Sequence, residues 1–70
     1  MDKLIYTKEE VAAIFSVSTR FIELLVSAGL FPAPFYFGDL PRWKATSITR
    51  HIEGIKDGQV ISLNAAKGTR

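Results

Sequence analysis

Apolar positions between residues 8 and 28 recur at helical spacing, in two short runs separated by a two-residue gap. In the second run Phe21, Leu24, Leu25 and Ala28 fall at i, i+3, i+4 and i+7, the spacing of a stripe that a helix buries. Ser18 stands in front of it as an N-cap, with an oxygen able to accept from an unpaired first-turn amide. Val17 and Ile22 suit a hydrophobic staple across that cap. Gly29 ends the run, because glycine takes the left-handed C′ conformation without a Cβ clash. The first run has its own start signal: Thr7-Lys8-Glu9-Glu10 has the form of a capping box, with Tyr6 and Val11 as the staple pair. Val11, Ile14 and Phe15 supply its apolar stripe. The pattern therefore predicts helices over 8–15 and 18–28, joined through Ser16-Val17.

Two short helices with separate caps and a tight turn form a helix-turn-helix unit. Ala12 fits this reading, because a close helix crossing needs a position with almost no side chain, and Val17 would fill the gap in the turn. Ser16 stands where glycine is usual; serine tolerates a positive φ at some cost.

Beyond Gly29 the period changes. Pro32 and Pro34 force an extended path, Phe35–Phe37 is strand-prone, and Gly38-Asp39 is a turn signal. Arg42-Trp43 then predicts the returning strand of a hairpin over 35–43, with Pro41 suited to an edge. Ile48, Ile52 and Ile55 predict a third helix over 45–55, its end bracketed by Gly54 and Asp57-Gly58. Val60–Leu63 has the composition of one further short strand beside the hairpin, and the remainder reads as a basic tail. The predicted fold is mainly α with a small β-hairpin: a winged helix-turn-helix, three helices plus a wing, over 4–55, followed by a basic C-terminal tail over 56–70.

Size and composition narrow the chemistry. Seventy residues make one small domain, which buries roughly 60% of its unfolded surface and is only marginally stable. The absence of cysteine and the single, isolated His51 exclude a disulfide and argue against a structural zinc site. No nucleophile–base pair and no G-x-x-x-x-G-K loop is present, so no enzyme activity, metal or cofactor is expected. His51 instead suits a half-buried helix position. No stretch approaches the roughly 20 apolar residues of a membrane span, and MDKLIYTKEE is not a signal peptide. The expectation is a cytoplasmic protein without a membrane partner.

Charge matters through its placement. Lys3, Lys8, Arg20, Arg42, Lys44 and Arg50 are balanced by Asp2, Glu9, Glu10, Glu23, Asp39 and Glu53, so the domain through Ile55 is neutral. The net charge of +2 arises from Lys56, Lys67 and Arg70 against Asp57. A neutral domain attracts nucleic acid through a few placed cations, not in bulk. The outer face of 18–28 carries Ser18, Thr19, Arg20, Glu23 and Ser27, side-chain types that read base edges and phosphates. Arg20 is the leading candidate for base or phosphate contact. Ser18 and Thr19 can donate to phosphate beside the helix N-terminus, although the capping role is the primary one for Ser18. Glu23 can accept from a cytosine amine or serve only as a solvated helix charge. Trp43 suits a plug between wing and helices, which turns Arg42 and Lys44 toward solvent and DNA backbone. Tyr36 suits a core-facing or a DNA-facing position equally. Phe31, Phe35 and Phe37 exceed what so small a core can hide, and they predict one exposed aromatic patch.

The run Gly29-Leu30-Phe31-Pro32-Ala33-Pro34, followed by Gly38, Arg42-Trp43, Ile48 and Ile52, resembles the AlpA-type prophage regulator and excisionase family, within the MerR-like winged-helix group. The similarity runs from about Leu4 to Ile55, with departures at Asp39-Leu40, Ser47 and His51. It implies a sequence-specific DNA-binding protein of a prophage or mobile element, at work on the nucleoid of a bacterial host. Such a protein acts as an excisionase (a recombination directionality factor), as a transcriptional regulator, or as both. The recognition helix 18–28 would enter the major groove of double-stranded DNA, with the wing 35–43 on the flanking backbone and an integrase as partner. The neutral charge and the aromatic surplus support an alternative: a protein-interaction module that binds an integrase or repressor without strong DNA binding. For the DNA-binding reading, the small footprint favours a free monomer that binds adjacent sites through cooperative contacts between copies of the chain.

Overall fold

Thr7 starts the first helix as its neighbours predict. Its hydroxyl oxygen accepts the Glu10 amide at 3.1 Å, and the Glu10 carboxylate accepts the Thr7 amide at 2.9 Å. The computed structural model describes residues 3–63. Within them helix α1 spans Lys8–Phe15 and helix α2 spans Thr19–Ser27. Ser18 caps α2 by accepting the Phe21 amide at 3.1 Å.

Both helices end in the same hydrogen-bond pattern. After α2, Gly29 at φ 78° lets its own amide reach Val26 O (3.1 Å) and the Leu30 amide reach Leu25 O (2.9 Å). After α1, Ser16 at φ 58° does the same through Ala13 O (3.1 Å) and Ala12 O (3.0 Å). Serine thus holds a left-handed position that costs an L-residue roughly 1–2 kcal/mol. Ser16 is exposed, so a substitution there sacrifices no packing. Ser16→Gly is expected to stabilise the domain by about 0.5–1 kcal/mol, less than the strain removed because glycine loses more entropy on folding. A rise in the urea midpoint checks this; a fall would mean that the serine hydroxyl itself supports the turn.

The hairpin forms as predicted. Strand β2 (Phe35–Phe37) pairs antiparallel with β3 (Leu40–Lys44), in the register Phe35↔Arg42, Tyr36↔Pro41, Phe37↔Leu40. Gly38 at φ 62° takes the first place of the two-residue turn, where a II′ hairpin needs glycine. The third strand comes from the opposite end of the chain to the one expected. Strand β1 (Ile5–Tyr6) lines the other edge of β3, with Ile5↔Lys44 and Tyr6↔Trp43, giving the order β1-β3-β2. The strand anticipated near 60–63 does not form, and Val60–Ser62 has no regular structure. The free edge of β3 is already occupied by β1.

Helix α3 (Ala45–Glu53) follows β3 without a loop and ends at Gly54, two residues short of the predicted 55. Its N-cap residue, Lys44, makes no side-chain capping bond; the carbonyl of Leu4 accepts the Ala45 amide at 2.8 Å instead. A turn with Gly58 at φ 82° and a 2.9 Å bond from the Gln59 amide to Lys56 O then reverses the chain. Residues 56–63 were expected to begin the tail, yet Ile61 and Leu63 pack against the core. The basic residues Lys67 and Arg70 lie outside the described residues.

The core is Val11, Ala12, Ile22, Leu25, Phe31, Trp43 and Ile48. Two apolar stripes are rotated from their expected positions. On α2, Leu25 is buried as its stripe predicts and Ile22 is buried with it, while Phe21 and Leu24 are only half-buried and Ala28 is exposed. On α3, Ile52 is 43% exposed. His51 packs inward there, its ring 5.0 Å from Phe31 and 6.2 Å from Phe15. Partial burial among these rings holds the His51 pKa below the ordinary imidazole value. The result is a winged helix-turn-helix, three helices with a three-stranded antiparallel sheet whose hairpin forms an open wing. No helix among the described residues is long and apolar enough to cross a membrane.

Candidate nucleic-acid interface

Capping and staple together determine how α2 is presented. With Ile22 and Leu25 turned inward, Arg20, Glu23 and Ser27 fall at i, i+3 and i+7 on the solvent stripe, and all three are exposed. Ser18 is exposed at the N-terminal end of that stripe, its hydroxyl oxygen engaged in the cap and its O–H still able to donate. Thr19 is half-buried and stands partly aside. The Arg20 side chain is 76% exposed, and its guanidinium lies 3.8 Å from a Glu23 carboxylate oxygen.

Beside this stripe runs a cleft of about 350 Å³, with Glu23, Val26 and Ser27 on one wall and Tyr36, Asp39 and Pro41 of the hairpin on the other. Trp43 closes its floor. Its indole N–H donates to the Pro32 carbonyl at 2.7 Å and its ring meets Phe31 edge-on at 6.2 Å, so the tryptophan is the plug between wing and helices. Tyr36, left open by the sequence, lines the cleft and is 61% exposed.

Lys8 is the cleft residue that sequence reasoning missed. Its ammonium pairs with the Glu23 carboxylate across fifteen positions, a separation at which sequence carries no pairing signal. The hydrogen bond between them raises the Lys8 pKa and lowers that of Glu23, so both remain charged through neutral pH. At the same first turn of α1, Lys3 pairs with Glu10 at 2.7 Å. That contact, with the Thr7 amide, lowers the Glu10 pKa.

Side chains alternate along β3, so Arg42 and Lys44 lie on the sheet face opposite Trp43 and the cleft. There Arg42 donates to its neighbour's carbonyl, Pro41 O, at 2.7 Å. Cross-strand register places Ile5, Phe35, Phe37 and Leu40 on that same outer face. Phe37 is 61% exposed and Leu40 51%, with the Phe35 and Phe37 rings stacked edge-on at 5.7 Å. This is the exposed aromatic patch expected from composition, although Phe31 itself is buried. The predicted residues therefore fall into two groups: Ser18, Arg20, Glu23 and Ser27 along α2 beside the cleft, and Arg42 with Lys44 across the thickness of the sheet. No family model matches the chain, and comparison with curated proteins and with solved structures finds no match.

Proposed function

We propose that the chain is a sequence-specific double-stranded DNA-binding protein, with α2 as the recognition helix in the major groove and the hairpin on the flanking backbone. One observation carries the reading: the second helix of a helix-turn-helix presents a short polar stripe, Arg20, Glu23 and Ser27, to solvent beside an open wing. Arg20 is the base-reading candidate, Ser18 is the phosphate donor at the helix N-terminus with the half-buried Thr19 in a lesser role, and Ser27 extends the stripe. Arg42 and Lys44, on the outer sheet face, belong to the flanking backbone and not to the same groove. The resemblance drawn from sequence extends the proposal to an excisionase or transcriptional regulator of a prophage or mobile element, working with an integrase in the bacterial cytoplasm.

A single module of this kind buries only roughly 600–1,000 Å² on DNA, which favours cooperative binding of several copies to adjacent, directly repeated sites. The exposed aromatic face of the wing or the segment 59–70 supplies the contact between copies, and head-to-tail use of it builds an open array. The same patch favours the protein-interaction reading if DNA binding proves weak. Selection from random duplexes tests the proposal, followed by titration of DNA carrying one, two and three copies of the enriched site. With about four to six cationic contacts, log K is expected to fall against log salt with a slope of about −4 to −5, and affinity per site is expected to rise with copy number. Absence of any enriched sequence or salt-dependent retention overturns the DNA reading in favour of the interaction module. Unchanged affinity per site removes the cooperative array alone.

A further inference from the structure

We propose that Glu23 is a specificity-determining residue, occupying Lys8 and restraining Arg20 so that phosphate without a matching base sequence is bound weakly. This deepens the DNA-binding reading and rests on it. The two carboxylate oxygens of Glu23 face different cations: one pairs with Lys8 from the start of α1, and the other lies 3.8 Å from Arg20, one turn back on α2. Lys8 and Glu23 line the cleft between α2 and the hairpin, with Asp39 on its opposite wall, and Arg20 reaches Glu23 from outside that lining. Within this groove the Lys8 ammonium faces two carboxylates, Glu23 and Asp39, so its charge is already matched before a DNA backbone approaches.

A phosphate that approaches Lys8 meets the Glu23 carboxylate already bound to it, and that carboxylate repels the same anion. Contact with the backbone alone therefore gains little. A matching site adds base contacts from Arg20 and the hydroxyl of Ser27, which offset the cost of opening the pair. The Lys8 contact holds one Glu23 oxygen toward α1, so the pairing favours restraint over base reading for Glu23. The depressed Glu23 pKa and raised Lys8 pKa fit a pair that stays ionised until DNA competes for it.

The test is Glu23→Gln, which keeps size and helix propensity at an exposed position, compared with Lys8→Gln/Glu23→Gln on non-specific duplex and on the selected site. Glu23→Gln is expected to raise non-specific affinity on the order of 3- to 10-fold at low salt and to steepen the salt slope by about 1–2. The selected site is expected to gain less, so discrimination falls. The double variant is expected to lose most of the non-specific gain. If Glu23→Gln instead weakens the selected site and leaves non-specific binding unchanged, Glu23 reads a base and the proposal is overturned. No change on either DNA overturns it too, and a gain that persists in the double variant overturns the part assigned to Lys8. Wild-type protein with no salt-dependent DNA binding would refute the DNA reading itself, an outcome distinct from all of these.

Discussion

Trp43→Ala is expected to leave much of the chain unfolded at room temperature. The side chain is 2% exposed and lies where the sheet, α1, α2 and the Phe31 segment meet. Truncating a buried aromatic to alanine costs about 3–5 kcal/mol, through lost transfer energy and the cavity left behind. A domain of this length, at roughly 0.05–0.15 kcal/mol per residue, has only about 3–10 kcal/mol in total. The indole also donates to Pro32 O, which fixes the Pro32–Pro34 segment against β3. Trp43→Phe separates the two contributions: it keeps a ring in the core and leaves that carbonyl without its donor, at about 1–3 kcal/mol. Urea unfolding followed by far-ultraviolet circular dichroism measures both, since the tryptophan signal is lost with the residue. A Trp43→Ala midpoint close to wild type would mean that the hairpin is not locked to the helices through this side chain.

The second large effect is on binding. Under the proposed function, Arg20→Ala is expected to cost about 1–3 kcal/mol on the selected site, roughly 5- to 150-fold in affinity. Stability should barely change, within about 0.5 kcal/mol, because the side chain is 76% exposed and its one close charge contact, with Glu23, is at 3.8 Å. Lys44→Ala supplies the contrast. A phosphate contact carries no sequence information, so its loss weakens selected and non-specific DNA about equally. Parallel titration of both variants on both DNAs measures the difference. Equal affinity of wild type and Arg20→Ala for the selected site would remove α2 from the major groove.

What the sequence determined by itself is everything whose cause lies within about five residues. Thr7 and Ser18 mark the helix starts through bonds to amides three positions on, Gly29 and Ser16 mark the ends through bonds reaching three and five back, and Gly38-Asp39 closes a two-residue hairpin. These are steric and hydrogen-bonding effects of the local chain, so the helix-turn-helix and the wing were legible from residue order.

Tertiary structure decided the rest. Strand β1 is two residues long, too short to show a period, and its partners lie nearly forty positions away. Apolar side chains at 21, 22, 24, 25 and 26 cover more than half the circumference of α2. The position of Phe31 and Trp43 selects Ile22 and Leu25 for burial, and the same aromatic cluster draws in His51 in place of Ile52. The pairing of Lys8 with Glu23 and the separation of Arg42 and Lys44 from the cleft likewise follow from how α1, α2 and the sheet are stacked. Such contacts depend on where the chain returns after a turn, which no local preference encodes.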